Sequence, residues 1–218
     1  MVSLIFFVSN DKFLRNMMVP NRHFFRQEGS FIMAAFFSWF YIPFITILLP
    51  GRTGWFSSNF SAAAAQGSSR FFLILWGISI ILFFHLMMKE ILNQDAQSPQ
   101  KARLLFLTDL AAWMLLLSVF LPYMPGDRPI VSVFHTSLAF CAALLFFLVL
   151  LALDLKYYLS EPERFSRLTA ALLGSCLMAF LLFFLSGFLI SSALEIFCTV
   201  FAAQWLYFFY RKTKRAAP

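Results

Sequence analysis

Charge is what this chain has least of. Only 12% of its 218 residues are Asp, Glu, Lys or Arg, and 61% are hydrophobic; a soluble domain carries about 25% charged residues. With a mean hydropathy of +0.79, most of the chain must face lipid or its own interior, which excludes an ordinary water-soluble domain. Cysteine is scarce as well: Cys141, Cys176 and Cys198 all fall inside apolar runs, so they read as small buried hydrophobes and not as a disulfide framework. Histidine occurs three times, and only His85 and His135 lie in apolar runs, at opposite depths. A catalytic zinc takes three protein ligands, so a zinc site is poorly supplied; no metal and no other cofactor is expected. Gly-x-Ser-x-Gly, His-Glu-x-x-His and phosphate-cradling glycine loops are all missing. Apolar residues 1–9 have no positive region before them and no small-x-small site after them, so a cleaved signal peptide is not expected.

What is present is a series of long apolar runs. Leu104–Leu121 and Ile130–Leu153 are each long enough to cross a bilayer, which takes about 20 apolar residues. Between them Pro122-Tyr123-Met124-Pro125-Gly126-Asp127-Arg128-Pro129 cannot continue a helix. This hairpin sets the pattern for the rest: an all-α polytopic membrane protein, a bundle of six transmembrane helices at about 31–49, 70–92, 103–122, 130–153, 167–187 and 190–210. Pro43 should kink the first span, because proline removes a backbone donor and clashes with the preceding turn. The stretch 167–210, wound as one helix, would be about 66 Å long, roughly twice the hydrocarbon thickness. It must cross twice, with its turn at the small polar residues Ser186-Gly187 and Ser191-Ser192.

Outside the spans, residues 1–30 form an N-terminal segment. Phe6, Phe7, Phe13, Leu14, Met17 and Met18 share one helical face opposite Asp11, Lys12 and Arg15, the pattern of a helix lying in the membrane interface. In the long loop between the first two spans, Trp55, Phe56 and Phe60 are expected at the interface, and Asn59-Phe60-Ser61 fits the glycosylation acceptor pattern. A polar connection is expected over 156–166, and a basic tail over 211–218.

The net charge of +7 belongs to the loops and to no single face, so nucleic acid is not an expected partner. Lys12, Arg15, Arg22, Arg26, Lys89, Lys101, Arg103, Lys156, Arg164, Arg167, Arg211, Lys212, Lys214 and Arg215 fall on one side of a six-span arrangement, and only Arg52, Arg70 and Arg128 on the other. Lys and Arg concentrate on the cytoplasmic side, so both termini are expected there, as an even span count requires.

Ionisable groups inside the hydrocarbon are the candidates for function. His85 and Asp109 lie roughly 10 Å inside the cytoplasmic boundary, on neighbouring spans. His135 and Glu195 lie roughly 6–8 Å below the opposite boundary, opening the fourth and sixth spans. Each pair could form a proton-linked or headgroup-binding site, or simply an interhelical hydrogen bond that satisfies buried polar groups. His135 and Glu195 are the preferred ligand-binding candidates and His85 and Asp109 the second polar pair.

Pro129-Ile-Val-Ser-Val-Phe-His135-Thr-Ser-Leu-Ala-Phe140 with Ser192-Ala-Leu-Glu195-Ile-Phe resembles the damage-regulated autophagy modulator superfamily, six-span proteins that include factors remodelling GPI lipids. The turn Pro50…Thr53-Gly54 is similar too, although the family's Ser-Asp-Thr-Gly loop lacks its Asp here and Ile196 stands where an aromatic is common. The resemblance implies a lipid-associated, non-enzymatic membrane protein. Three classes stay open: a lipid-interacting or regulatory membrane protein, which short loops favour; a small proton-coupled transporter, for which Asp109 and Glu195 would be equivalent acids of an inverted repeat; and an intramembrane lipid-modifying enzyme. Membrane lipids are the expected partners, with another membrane protein as a further candidate, and the plasma membrane is the expected location.

Overall fold

The computed structural model describes residues 29, 31–51, 53–65, 69–94 and 100–214. Among them six helices are long and apolar enough to cross a membrane: α1 (Phe31–Leu48), α3 (Ser69–Asn93), α4 (Lys101–Phe120), α5 (Pro129–Ser160), α6 (Pro162–Leu185) and α7 (Ser192–Lys214). A short helix, α2 (Phe60–Ala64), interrupts the loop after α1, and no strand occurs among the described residues. The amphipathic pattern over 1–18 and the last residues, 215–218, lie outside the described residues, whereas Arg211, Lys212 and Lys214 of the expected tail form the last turn of α7.

Successive helices pack antiparallel. The segments after α1, α4 and α6 come together at one end, here termed the loop face, where Ser58 bonds Ser192 and Ser61 bonds His135. In α1 the response to Pro43 is a π-helical turn over Phe37–Tyr41. The Ile42 N–H reaches back to the Phe37 carbonyl, so one widened turn absorbs the clash of the ring with the turn before it. Small residues allow close approach elsewhere: a Cβ on Gly77 of α3 would sit 2.8 Å from Cγ2 of Val119 on α4. Apolar side chains cannot drive helices together in lipid as they do in water, so this intimate packing carries more of the association.

The core is aromatic at both ends. Near the loop face Phe60 packs edge-on to Trp76, with centroids 5.3 Å apart, and the Trp76 indole donates to Thr46 Oγ1 at 3.0 Å. Phe60 is thus buried inside the bundle and not at an interface as expected, unlike its neighbours Trp55 and Phe56, which are exposed. At the other end Tyr157, Phe165, Trp205 and Phe209 form one cluster.

The connection expected over 156–166 is mostly helical. α5 runs on to Ser160 and α6 starts at Pro162. Glu161 alone leaves helical geometry, with φ −139° and ψ 69°, because the residue before a proline is pushed out of the α region while proline itself is well suited to open a helix. The turn between α6 and α7 uses left-handed backbone at Gly187 and at Phe188 (φ 67° and 64°). Ser186 Oγ donates to Ser191 Oγ at 2.8 Å across it.

Candidate functional site

The loop face is organised around two helix starts that satisfy each other. The first N–H groups of any helix have no partner within it. In α7, Ser192 N–H donates to the Ser58 carbonyl at 2.7 Å and Ala193 N–H to the Trp55 carbonyl at 2.9 Å. In α2, Asn59 Oδ1 accepts from Ala62 N–H at 2.8 Å as the N-cap. The Phe60 N–H donates to Glu195 Oε2 at 2.7 Å. Glu195 therefore stands in the first turn of its own helix, where the dipole favours a carboxylate, and also terminates the neighbouring one. The Asn59 amide oxygen is engaged in capping, which gives the acceptor-like tripeptide a structural reason to be there.

Ser61 follows Phe60, and its Oγ lies 2.6 Å from Nε2 of His135. The other ring nitrogen, Nδ1, lies 2.7 Å from the Ser118 carbonyl and 3.0 Å from the Leu121 carbonyl. Carbonyl oxygens only accept, so Nδ1 carries the proton; in the neutral ring Nε2 is left to accept from the Ser61 hydroxyl. The ring is 2% exposed and has a partner for both nitrogens. Ser118 Oγ in turn donates to the His135 carbonyl at 2.9 Å, and Met124 N–H donates to Ser132 Oγ at 2.8 Å, so the turn between α4 and α5 is fastened to the first helical residues after it.

A cavity of about 180 Å³ opens beside this histidine. Ser61, Arg70, Tyr123 and His135 supply its polar groups, and Leu73 and Val119 part of its apolar wall. Arg70 Nη2 donates to the Phe120 carbonyl at 3.0 Å, which leaves its remaining N–H groups for other acceptors. Glu195 does not line the cavity. Among the described residues no hydrogen bond or ion pair joins Glu195 to His135; the two hold adjacent residues of α2 instead.

The other polar pair meets directly. His85 Nδ1 lies 2.7 Å from Asp109 Oδ1, with side chains 37% and 47% exposed. A further acid was passed over in the sequence: Asp154 of α5 is 0% exposed and neither carboxylate oxygen has a hydrogen-bond partner. Its only signal was its place among leucines just before the polar residues that were assigned to a loop. No group of three His, Cys, Asp or Glu side chains gathers among the described residues. Comparison with family models, with curated proteins and with solved structures finds no match for this chain.

Proposed function

We propose that this chain is an integral membrane protein that holds the polar end of an anionic lipid, or a small anionic ligand of like chemistry, in the cavity at its loop face. The observation that carries this reading is the company Arg70 keeps: a guanidinium with unused donors beside the Ser61 and Tyr123 hydroxyls and an imidazole, against an apolar wall. Such a mixture of few polar groups on a mainly apolar lining is what small-molecule sites require, and Arg matches the fork geometry of phosphate and carboxylate. The loop face is read as non-cytoplasmic and both termini as cytoplasmic, on the basic-residue asymmetry. Kinship with the damage-regulated autophagy modulator superfamily is part of the same proposal and rests on the motifs around His135 and Glu195.

Titration of the detergent-solubilised protein with phosphatidate tests the binding. Ligand at a hundred times its Kd stabilises the folded state by about 2.7 kcal/mol, so a clear rise in Tm is expected. Arg70→Gln should abolish it. No rise in the unmodified protein, or an equal rise in the variant, would overturn the reading. Cysteines introduced at Ser58 and Asp127 should react with impermeant reagent in intact cells, and one at Gln97 should not; the reverse pattern would invert the orientation.

A further inference from the structure

We propose that Ser61 and His135 form a nucleophile–base pair for acyl transfer from a membrane ester, a reading that rests on occupancy of the cavity by a lipid as proposed above.

The first support is where the Ser61 hydroxyl points. A serine within a helix ordinarily returns its proton to a carbonyl one turn back. Ser38, Ser79 and Ser160 do so, whereas Ser118 bonds the His135 carbonyl. Ser61 sits at the start of a five-residue helix and instead faces an imidazole nitrogen on a different span at 2.6 Å. The second support is the orientation of that imidazole. A base that activates a hydroxyl must have its far nitrogen held, so that the correct tautomer is presented. Two backbone carbonyls, of Ser118 and Leu121, hold His135 Nδ1, the place an aspartate takes in other nucleophile–base–acid arrangements. The third support is access: Ser61 and His135 both line the cavity, so the bonded pair lies on its wall.

In the reaction, Ser61 Oγ attacks the carbonyl carbon of an ester as its proton passes to His135 Nε2. The negative charge that develops on the carbonyl oxygen would be met by donors on the same wall. Arg70 keeps N–H groups beyond the one given to Phe120, and the Tyr123 hydroxyl has no hydrogen bond among the described residues. The intermediate then collapses: the bond from carbon to the alcohol oxygen breaks, and the departing alcohol takes the proton from Nε2. Ser61 is left as its acyl ester. Water, or the hydroxyl of a second lipid, attacks that ester with its proton going to Nε2, and the Ser61 oxygen recovers that proton on release. No oxidant, reductant or metal enters. Leu73, Val119 and Leu121 along the lining suit the acyl chain and Arg70 an anionic substituent, so the substrate class is an ester of an anionic lipid.

The test uses the full chain in detergent with an alkyl fluorophosphonate, which bonds covalently to activated serines. A single adduct that peptide mass spectrometry maps to Ser61 is expected, absent from Ser61→Ala. His135→Gln should slow labelling about a hundredfold or more, the scale of a general base. Should that variant fail to fold, the labelling rate of the unmodified protein in heavy water decides: slower labelling than in ordinary water is expected when a base takes the serine proton in the transition state, and equal rates overturn the proposal. No adduct, an adduct elsewhere, or undiminished labelling in His135→Gln also overturns it. The phosphatidate-induced rise in Tm is measured in parallel on the unmodified protein. If that rise is present while no adduct forms on the unmodified protein, acyl transfer fails and lipid binding stands; if the unmodified protein shows no rise, lipid binding itself fails.

Discussion

The two histidines inside the bundle are bonded in opposite ways. His85 is partly exposed and takes one side-chain partner, Asp109. His135 is closed in and has partners on both ring nitrogens: two backbone carbonyls on one side and the Ser61 hydroxyl on the other. The difference follows from what each site costs. A polar atom with room beside it can keep a loose or shared partner, whereas one sealed in an apolar surround carries its full desolvation penalty unless matched. It also separates two kinds of site. The direct pair leaves the imidazole occupied by a carboxylate. The closed one has its tautomer set by backbone groups that cannot titrate, with the remaining lone pair aimed at a hydroxyl in a cavity.

The sharpest way to break this comparison is to remove each ring in turn. His135→Ala strands the Leu121 carbonyl and the Ser61 hydroxyl, leaves the Ser118 carbonyl with only the Leu121 N–H, and opens a void. Each buried group left unsatisfied costs about 1–3 kcal/mol, so this variant should show the largest fall in Tm, read by thermal unfolding in detergent. Limited proteolysis should also cut more readily between α1 and α3, because α2 loses its hold on α5. A fall no greater than that of His85→Ala would mean that burial and partner number do not set the difference.

Asp154 supplies a third case, a carboxyl that is closed in like His135 but has no partner at full hydrogen-bond geometry, with the Thr169 hydroxyl as a neighbouring donor. Such a group destabilises the fold by about 1–3 kcal/mol. Asp154→Ala should therefore raise Tm, against the usual effect of truncating a buried residue. A fall instead would show that the carboxyl is engaged in the folded protein.

How much of this could be read from the chain depends on what kind of residue supplies the partner. His85 and Asp109 sit on spans joined by a short connection, and counting residues from that connection places them at equal depth. Their 2.7 Å contact is of the kind such counting suggests. The six long helices were equally legible, since apolar run length is a direct physical requirement of the bilayer. The partners of His135 and Glu195 were not. Equal depth put the two side by side, but the residues that engage them, Phe60 and Ser61, belong to a stretch with no apolar periodicity and too short to register as a helix. α2 forms because Asn59 caps it and Phe60 has the Trp76 edge to bury against. Both are tertiary circumstances that a local pattern does not carry. Asp154 was hidden differently: charged residues after Leu153 looked like the end of a span, but Lys, Glu and Tyr are adequate helix formers and only Pro162 interrupts them.

Glu195 refines the comparison because its bond is to a backbone N–H and not to a side chain. Glu195→Ala leaves the Phe60 N–H without its acceptor, a loss toward the lower end of about 1–3 kcal/mol because this bond is only partly buried. Glu195→Gln keeps an oxygen that can accept the same bond and should lie much nearer the unmodified Tm. If Gln costs as much as Ala, the charge matters more than the acceptor, and the carboxylate must serve a partner other than Phe60. A double-mutant cycle sharpens the point further: Ser61→Ala with His135→Ala should show a larger coupling energy than Glu195→Ala with His135→Ala, since only the first pair is in direct contact.

The smallest effect is expected at His85 and Asp109, in spite of their short distance. Their side chains are 37% and 47% exposed, so neither pays a full burial penalty, and once separated each can find other partners or turn toward the nearest headgroups. Interhelical polar contacts in membrane bundles average about 0.6 kcal/mol in double-mutant cycles, and the coupling between His85→Ala and Asp109→Ala should fall near that figure. The single variants should move Tm by less than Glu195→Ala does. The cycle is read at two ionic strengths in the same detergent, because an exposed ion pair weakens with salt whereas a hydrogen bond between neutral groups does not. A coupling of several kcal/mol would place this pair in the same class as His135. It would mean that the surface around Leu82, Leu86, Phe106 and Trp113, all exposed in the single chain, is closed off in the membrane.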